Sequence, residues 1–286
     1  MTDRHTTPAA RDDAADTALP FTVHVGEADA IRREADRARS PRHLVVTPVR
    51  LHRRNVQRRL REDGEPRSGF EFLRLVDVAR RVNEAATAIE AGPDERPETE
   101  SLDRLDRLAL TRRVLRGGSS GVAGPLGRTV GTPVEDHAER IERARVGLEM
   151  VTAFHPGRLD ALEAAIDALD GTARADARDL VGGLLALQRE LDDRSPVAVS
   201  DAALLRVATA TAAAAPEAIE AAYPDADTLS VAGVSTLTAS LEDFLFVLGG
   251  ETSIDVHLYL RHGTGPQIGD QLAAAGERFD PEGVRE

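Results

Sequence analysis

The sequence predicts an α/β protein whose parallel sheet is interrupted by a long helical segment. Two apolar or alternating stretches typical of strands lie near the N-terminal end, at Phe21–Val25 and His43–Val46. Two more lie near the C-terminal end, at Thr228–Val231 and Ile254–Leu260, and the residues from Thr132 to Ala222 show only helical patterns. Because each strand is too short and too apolar to stand alone, we expect all four to be neighbours in one parallel sheet.

Between the first two strands, Glu27–Arg39 has the pattern of a short helix. Val49–Arg61 then predicts a strongly basic helix, and Phe70–Phe72 indicates a third short strand or a helix entry. Leu73–Ala91 predicts a helix with one apolar face, and a loop rich in Pro and Glu follows at Gly92–Thr99.

The middle of the chain predicts several helices separated by a glycine-rich connector. Ser101–Arg116 has the pattern of an amphipathic helix, and Gly117–Gly131 that of a flexible linker. Ser240–Leu248 predicts a helix between the last two strands. The leucines expected to form the apolar stripe of the first of these helices are Leu102, Leu105, Leu108 and Leu115. Helix breaks are expected near His155-Pro156, Gly171, Arg194–Pro196 and Pro216.

These patterns divide the chain into five segments, with no internal repeat. We expect a disordered leader (1–20), a first part of the α/β domain (21–100), a helical insertion (101–222), a second part of the α/β domain (223–262) and a loose tail (263–286).

The composition indicates adaptation to concentrated salt. The formal net charge is −13, and the sequence contains no lysine, so that all 36 basic residues are arginine. An acidic, alanine-rich, lysine-free protein is typical of salt-loving archaea, in which surplus carboxylates keep the surface hydrated. A GC-rich coding bias explains the preference for arginine over lysine but not the acidity.

The same composition excludes several kinds of protein. Without cysteine there is no disulfide framework, thiolate nucleophile or iron–sulfur cluster. No apolar stretch approaches the roughly 20 residues of a membrane span, and the N-terminus lacks the apolar core of a signal peptide. The sequence therefore predicts a cytoplasmic protein.

Four segments, in their order along the chain, carry a family resemblance. They are Phe21–Gly26 (FTVHVG), Leu44–Leu60 (LVVTPVRLHRRNVQRRL), Phe70–Phe72 (FEF) and Thr228–Leu245 (TLSVAGVSTLTASLEDFL). The order resembles the N-terminal half of superfamily-one helicases of the UvrD/Rep type, especially the AddB-like subunits of helicase–nucleases. There the first segment leads into a phosphate loop, the second into a basic helix that touches single-stranded DNA, and the last carries the Walker B acid. The resemblance covers most of residues 21 to 262 and implies a degenerate P-loop (RecA-like) parallel sheet with an all-helical insertion.

The residues that such helicases need for nucleotide hydrolysis are missing. A phosphate loop is rich in glycine and ends in Lys-Ser/Thr, because backbone N–H groups and the lysine hold the phosphates. Here Gly26 is followed by Glu27–Asp29, and no lysine exists. The Walker B place reads Val231–Gly233, without an acid to hold Mg²⁺. The sequence therefore predicts a protein with the ancestry and shape of a helicase but without enzymatic activity, and with no cofactor.

The most informative local feature is a basic segment at residues 42–61, which holds seven arginines, two histidines and no acid. Several of its arginines recur on one helical face. The residues proposed to contact nucleic acid are Thr47, Arg50, Arg53, Arg54 and Arg58. Such a stripe is suited to phosphate contacts. The alternative is a solvated helix face whose arginines pair with the protein's own carboxylates.

Other candidate sites have simpler structural explanations. The eight histidines show no metal-binding spacing, so we predict no metal site and expect His24 and His257 to be hydrogen-bonded within strands. Gly118–Gly121 lies in the expected linker, not in a nucleophile turn. Ser235, Thr236 and Thr238 suit helix capping, whereas Glu242 and Asp243 favour the dipole of the helix that follows.

Together, the sequence favours a non-catalytic helicase-like protein, either free-standing or a subunit of a DNA repair or recombination assembly. The expected partners are single-stranded DNA and a nuclease or helicase subunit, with no membrane. The alternative is a protein-interaction scaffold with no nucleic-acid contact.

Overall fold

The computed structural model describes residues 19–25, 31, 42–47, 50–62, 64, 69–90, 99–118, 120–261 and 263–276. Within this part, five strands form one sheet in the order β1-β5-β4-β2-β3, and every neighbouring pair is parallel. The strands are β1 (Thr22–Val25), β2 (His43–Val46), β3 (Phe70–Leu73), β4 (Thr228–Val234) and β5 (Asp255–Leu260).

Eleven α-helices are described, and one short 3₁₀ helix spans Val134–His137. The α-helices are α1 (Arg50–Glu62), α2 (Leu75–Glu90), α3 (Arg104–Arg116), α4 (Ser120–Val130), α5 (Ala138–Thr152), α6 (Pro156–Asp167), α7 (Gly171–Arg194), α8 (Asp201–Ala214), α9 (Glu217–Ala222), α10 (Ala239–Glu251) and α11 (Gly265–Gly276).

The predicted meeting of distant strands in one sheet is confirmed. Strand β2 pairs with β4 in register, His43 opposite Thr228 and Val46 opposite Val231, although residues 47–227 separate them. Strand β5 lies between β4 and β1, and the third strand, β3, pairs with β2 at the edge. The fold is therefore an α/β domain with an all-parallel sheet, whose chain leaves after β3 and returns at β4.

The sheet is covered on both faces, which explains its continuous apolar strands. On one face, residues such as Leu44, Val231 and Leu258 join a core with helices α2, α8, α10 and α11. On the other face, Val45 and Tyr259 join a smaller core with α1. The helices α3, α4, α5 and α7 have a core of their own.

Two segments expected to be irregular are helical, so those predictions were wrong. Val122 and Leu126 of α4 are buried in the helical core, and this packing outweighs the low helix propensity of the glycines in Gly117–Gly131. In α11, Ile268 and Leu272 enter the main core in the same way. The predicted stripe of α3 was also wrong in two residues, because Leu102 precedes the helix and Leu105 is 74% exposed.

Several expectations lie wholly or largely outside the described residues. Of the leader only residues 19 and 20 are described, and of the predicted helix Glu27–Arg39 only Ile31. The Glu27–Asp29 segment in the phosphate-loop place, the loop at 92–98 and the end of the tail at 277–286 lie wholly outside. In the part of the chain that is described, no helix is both long enough and apolar enough to cross a membrane.

Candidate nucleic-acid interface

Helix α1 is fixed to the sheet by one apolar face. Leu60 is fully buried and Val56 is partly buried, and both contact the core that includes Val45, Phe70 and Tyr259. Residues four apart share a helix face, so this anchoring turns the opposite face of α1 to solvent.

The outward face of α1 carries arginine. Arg54, Arg58 and Arg61 are exposed, and Arg53 is half-buried. The guanidinium of Arg58 donates to Glu62 at 2.8 Å, within the same helix, and Arg61 donates through Nε to the carbonyl of Gln57. Among the described residues, no carboxylate lies within ion-pair distance of Arg53 or Arg54.

The other two predicted contact residues differ from this group. Thr47 follows β2 directly but is only 5% exposed, so little of its side chain is available for contact. Arg50 begins α1, and its side chain lies outside the described residues. The structure therefore brings Arg54 and Arg58 together on the outward face of α1, whereas the half-buried Arg53 is spaced with Val56 and Leu60 on the inward side and Thr47 is buried.

The N-terminal turn of α1 lies at the edge of the sheet where the strands end. Ligands of open parallel sheets bind at this carboxyl edge. Here the imidazole of His52 lies against Gly233 near the end of β4 and accepts a hydrogen bond from the guanidinium of Arg261, which follows β5. The backbone N–H of Arg261 donates to the carbonyl of Val234 at 3.0 Å, tying the two strand ends together.

Gly233, at the end of the segment that the sequence resemblance aligned with Walker B, has a geometry that disfavours a side chain. The register of β4 and β5 shifts at this residue, and its φ is +78°, a conformation that favours glycine. A Cβ atom added there would collide with Nδ1 of His52. An acid at position 233 is thus incompatible with the present position of His52.

The surroundings of His52 disfavour protonation of its imidazole. Partial burial, and then the positive charge of Arg261, lower the pKa of His52 below its ordinary value. A neutral imidazole offers a lone pair to the guanidinium N–H.

The other histidines of the sheet are hydrogen-bonded to one another or to their neighbours. His24 and His257 lie 3.0 Å apart across β1 and β5, and His257 also contacts Asp255 at 3.1 Å. His43 is buried and bonds the hydroxyl of Ser230 at 2.7 Å; burial, followed by the charge of His257, lowers its pKa to about 4. No group of three or more metal-ligating side chains occurs within the described ranges.

A second concave surface lies between the helical insertion and the α/β domain. This cleft, of about 670 Å³, is bounded by α5, α6, α10 and α11. At its base Arg158 makes two hydrogen bonds to Asp243, at 2.7 and 2.8 Å, and Met150 and Val151 at its rim are exposed. From the sequence, only a role in the helix dipole was predicted for Asp243, because its partner Arg158 is 85 residues away. Thr238, by contrast, caps α10 as predicted.

The insertion also holds a buried arginine that sequence reasoning missed. Arg145 is fully buried, and its guanidinium bonds Glu142, Glu149 and Gln188. Arg206 and Ser200 bond the second oxygen of Glu149, linking α5 to α8. Burial opposes the ionisation of Glu149, but Arg145 and Arg206 outweigh it and hold its pKa below the usual range.

Comparison with known proteins identifies the family of this chain. The family described as Halobacterial UvrD-like protein matches residues 9–277, which is nearly the whole chain. The chain belongs to that family. The resemblance to UvrD-type helicases is thereby confirmed, and this UvrD-like chain is a helicase-related protein with the α/β fold that the resemblance implied. A search of curated proteins found no match.

Proposed function

We propose that this UvrD-like protein is a non-catalytic, helicase-derived subunit that binds single-stranded DNA through the exposed arginines of α1. The observation that carries the proposal is the open cationic face of that helix. Helix α1 contains six arginines and one glutamate in a chain whose net charge is −13. The residues proposed to contact phosphates are Arg54 and Arg58 on this face and the half-buried Arg53 at its margin, with Arg50 beside them in sequence.

The ion pair that involves this face is weak enough to be exchanged. Arg58 and Glu62 are both more than half exposed, and an exposed pair four residues apart on a helix contributes only about 0.3–0.5 kcal/mol. A DNA phosphate can therefore replace Glu62 at little cost. Because phosphate contacts carry no base information, the proposed binding has little sequence preference.

The proposed absence of catalysis is supported at two places. The chain has no lysine for a phosphate loop, and the segment in the Walker B place ends in a glycine whose conformation and neighbour disfavour a side chain. A DNA-binding role without hydrolysis fits an assembly in which a partner, a nuclease or another helicase subunit, performs the chemistry.

The proposal is tested by fluorescence anisotropy with a labelled single strand, from the lowest salt at which the protein stays folded up to molar salt. The variant is Arg53→Ala/Arg54→Ala/Arg58→Ala. Its matched control is Arg104→Ala/Arg140→Ala/Arg143→Ala, which removes three exposed arginines from the helical insertion. Both variants change the net charge equally, so a difference between them reports the place of the charge.

We expect the α1 variant alone to weaken binding. The slope of log affinity against log salt should fall by roughly 0.7 to 1 for each lost phosphate contact. Binding by the isolated wild-type protein should nearly vanish in molar salt, so contact in a salt-rich cell would require a partner that adds surface. Equal affinities of wild type and the α1 variant would contradict the proposal.

A second candidate function is a protein-interaction scaffold, favoured by the cleft beside Met150 and Val151. Met150 and Val151, which are 41% and 71% exposed, form adjoining apolar surface at its rim, and contiguous exposed apolar surface is typical of interaction sites. The anisotropy experiment separates the two functions, because a scaffold predicts no dependence on the arginines of α1.

A further inference from the structure

The carboxyl ends of β4 and β5 meet a pair of basic side chains that the proposed DNA surface does not include. Arg261 follows β5, and its guanidinium contacts His52 in the first turns of α1. Among the described residues no carboxylate pairs with Arg261, and the residues directly after β4, Ser235–Leu237, include none. The strand ends thus carry positive charge.

The local backbone holds this pair in place. The backbone N–H of Arg261 is bonded to Val234, and His52 rests on the bare Cα of Gly233. A β-bulge commonly redirects a side chain beside a functional site, and the shift in register at Gly233 opens the space that His52 fills. The absence of an acid at position 233 and the placement of Arg261 are therefore linked. Gly233 leaves room for the imidazole of His52, and this imidazole positions the guanidinium of Arg261.

We propose that Arg261, positioned by His52, binds a phosphoryl group at this edge of the sheet. The planar fork of an arginine suits two phosphate oxygens, and His52 occupies only part of its set of N–H donors. The site lies at the N-terminal turn of the same helix that carries Arg53 and Arg54, so the phosphoryl group is either that of a DNA strand running along α1 or that of a small free phosphate compound. If the phosphoryl group belongs to a DNA strand, this inference rests on the proposed function; if it belongs to a small phosphate compound, it does not.

The two sources are separated by two titrations of the full chain in a chelating buffer. The first uses inorganic pyrophosphate and follows the histidine signals by NMR, with His52 assigned through His52→Gln. The second uses a labelled oligothymidylate and anisotropy. Binding of an anion to Arg261 offsets its charge, so the pKa of His52 should rise toward the ordinary value. A role of Arg261 confined to structure would leave this pKa unmoved.

The variants are Arg261→Ala and Arg261→Lys, with Arg143→Ala as the exposed control. We expect Arg261→Ala to weaken oligonucleotide binding about fivefold at low salt, as one lost phosphate contact requires. Arg261→Lys should restore part of the lost oligonucleotide affinity, since lysine keeps the positive charge but lacks the planar, two-pronged guanidinium. Arg261 is exposed, so folding should be kept; far-UV circular dichroism checks this.

The outcomes distinguish the site from the proposed function. A His52 shift with pyrophosphate that Arg261→Ala abolishes supports the site, even if no oligonucleotide binds and the proposed function fails. A His52 shift with the oligonucleotide alone supports a site for strand phosphates. Oligonucleotide binding that depends on Arg54 but leaves His52 and the Arg261 variants unaffected overturns the site and leaves the proposed function standing.

Discussion

Helices α1 and α5 are both rich in arginine, but they use it in opposite ways. In α5, Arg145 is fully buried and bonds two glutamates and a glutamine, so its charge is balanced by groups inside the protein. In α1, Arg54 and Arg58 face solvent, and the intrahelical partner of Arg58 is itself exposed. In a lysine-free chain, arginine thus supplies both the internal links and the external cationic surface.

The difference lies in what surrounds each helix rather than in arginine itself. Helix α5 supplies the two glutamates that bond Arg145, and its neighbouring helices bury this group and add the amide of Gln188 and the guanidinium groups of Arg107 and Arg206. Helix α1 rests on an apolar sheet face through Val56 and Leu60, and the carboxylate that bonds Arg58 is the exposed Glu62 of the same helix. Removing arginine should therefore cost stability in α5 and DNA affinity in α1.

The largest effect should follow from Arg145→Ala. This change leaves Glu142 and Glu149 buried with fewer cationic partners, which costs about 3–5 kcal/mol of unfolding free energy. Urea unfolding followed by circular dichroism measures it, as the chain has no tryptophan. Arg143→Ala, on the same helix but 78% exposed, should change stability by less than about 0.5 kcal/mol. Similar losses in both variants would remove the contrast between the helices.

A second buried ionisable group, the imidazole of His43, predicts a loss of stability in mild acid. His43 has a pKa of about 4 in the folded protein, against 6.5 when exposed, because burial and the charge of His257 oppose its protonation, while Asp227 and Asp255 favour it. Between these values the unfolded chain binds a proton that the folded protein does not bind. Stability therefore falls as the pH falls from 6.5 to 4, by roughly 2–3 kcal/mol from this group.

This pH dependence is checked by measuring the unfolding free energy at several pH values in wild type and in His43→Gln. The glutamine keeps a donor toward Ser230 but does not titrate, so the variant should lose much of the slope between pH 6.5 and 4. An unchanged slope would assign the acid sensitivity to other groups.

A smaller effect on stability is expected at Gly233, where His52 of α1 lies against strand β4. Gly233→Asp places a side chain on a residue with φ +78° and against His52, so it should destabilise the protein by about 1–3 kcal/mol. It should not create Mg-ATP binding in calorimetry, because no lysine accompanies the acid. Adding His52→Ala should recover part of the stability, since it removes the collision but not the backbone strain.

The sequence predicted the sheet well, because apolar strands and their flanking breaks are local signals. It missed α4, in which Val122 and Leu126 gain their burial from distant helices. The surface arginines of α1 also followed from spacing, since Leu60 fixes which face is inward. The burial of Arg145 and the meeting of His52 with Gly233 could not be predicted, because both depend on side chains brought together by the tertiary fold.

The smallest effect, and the sharpest test of the comparison, is expected from Glu62→Gln. Glu62 competes with DNA for Arg58 if α1 is a binding surface, whereas it is an ordinary surface partner if α1 is only solvated. Both cases predict a stability loss of about 0.3–0.5 kcal/mol. Only the first predicts tighter binding of single-stranded DNA, by about twofold at low salt, because one acidic competitor is removed from the cationic face. Glu163→Gln on α6, which removes an exposed acid from the insertion, is the control for net charge. Equal gains in both variants would mean that overall charge, and not the surface of α1, governs the interaction with DNA.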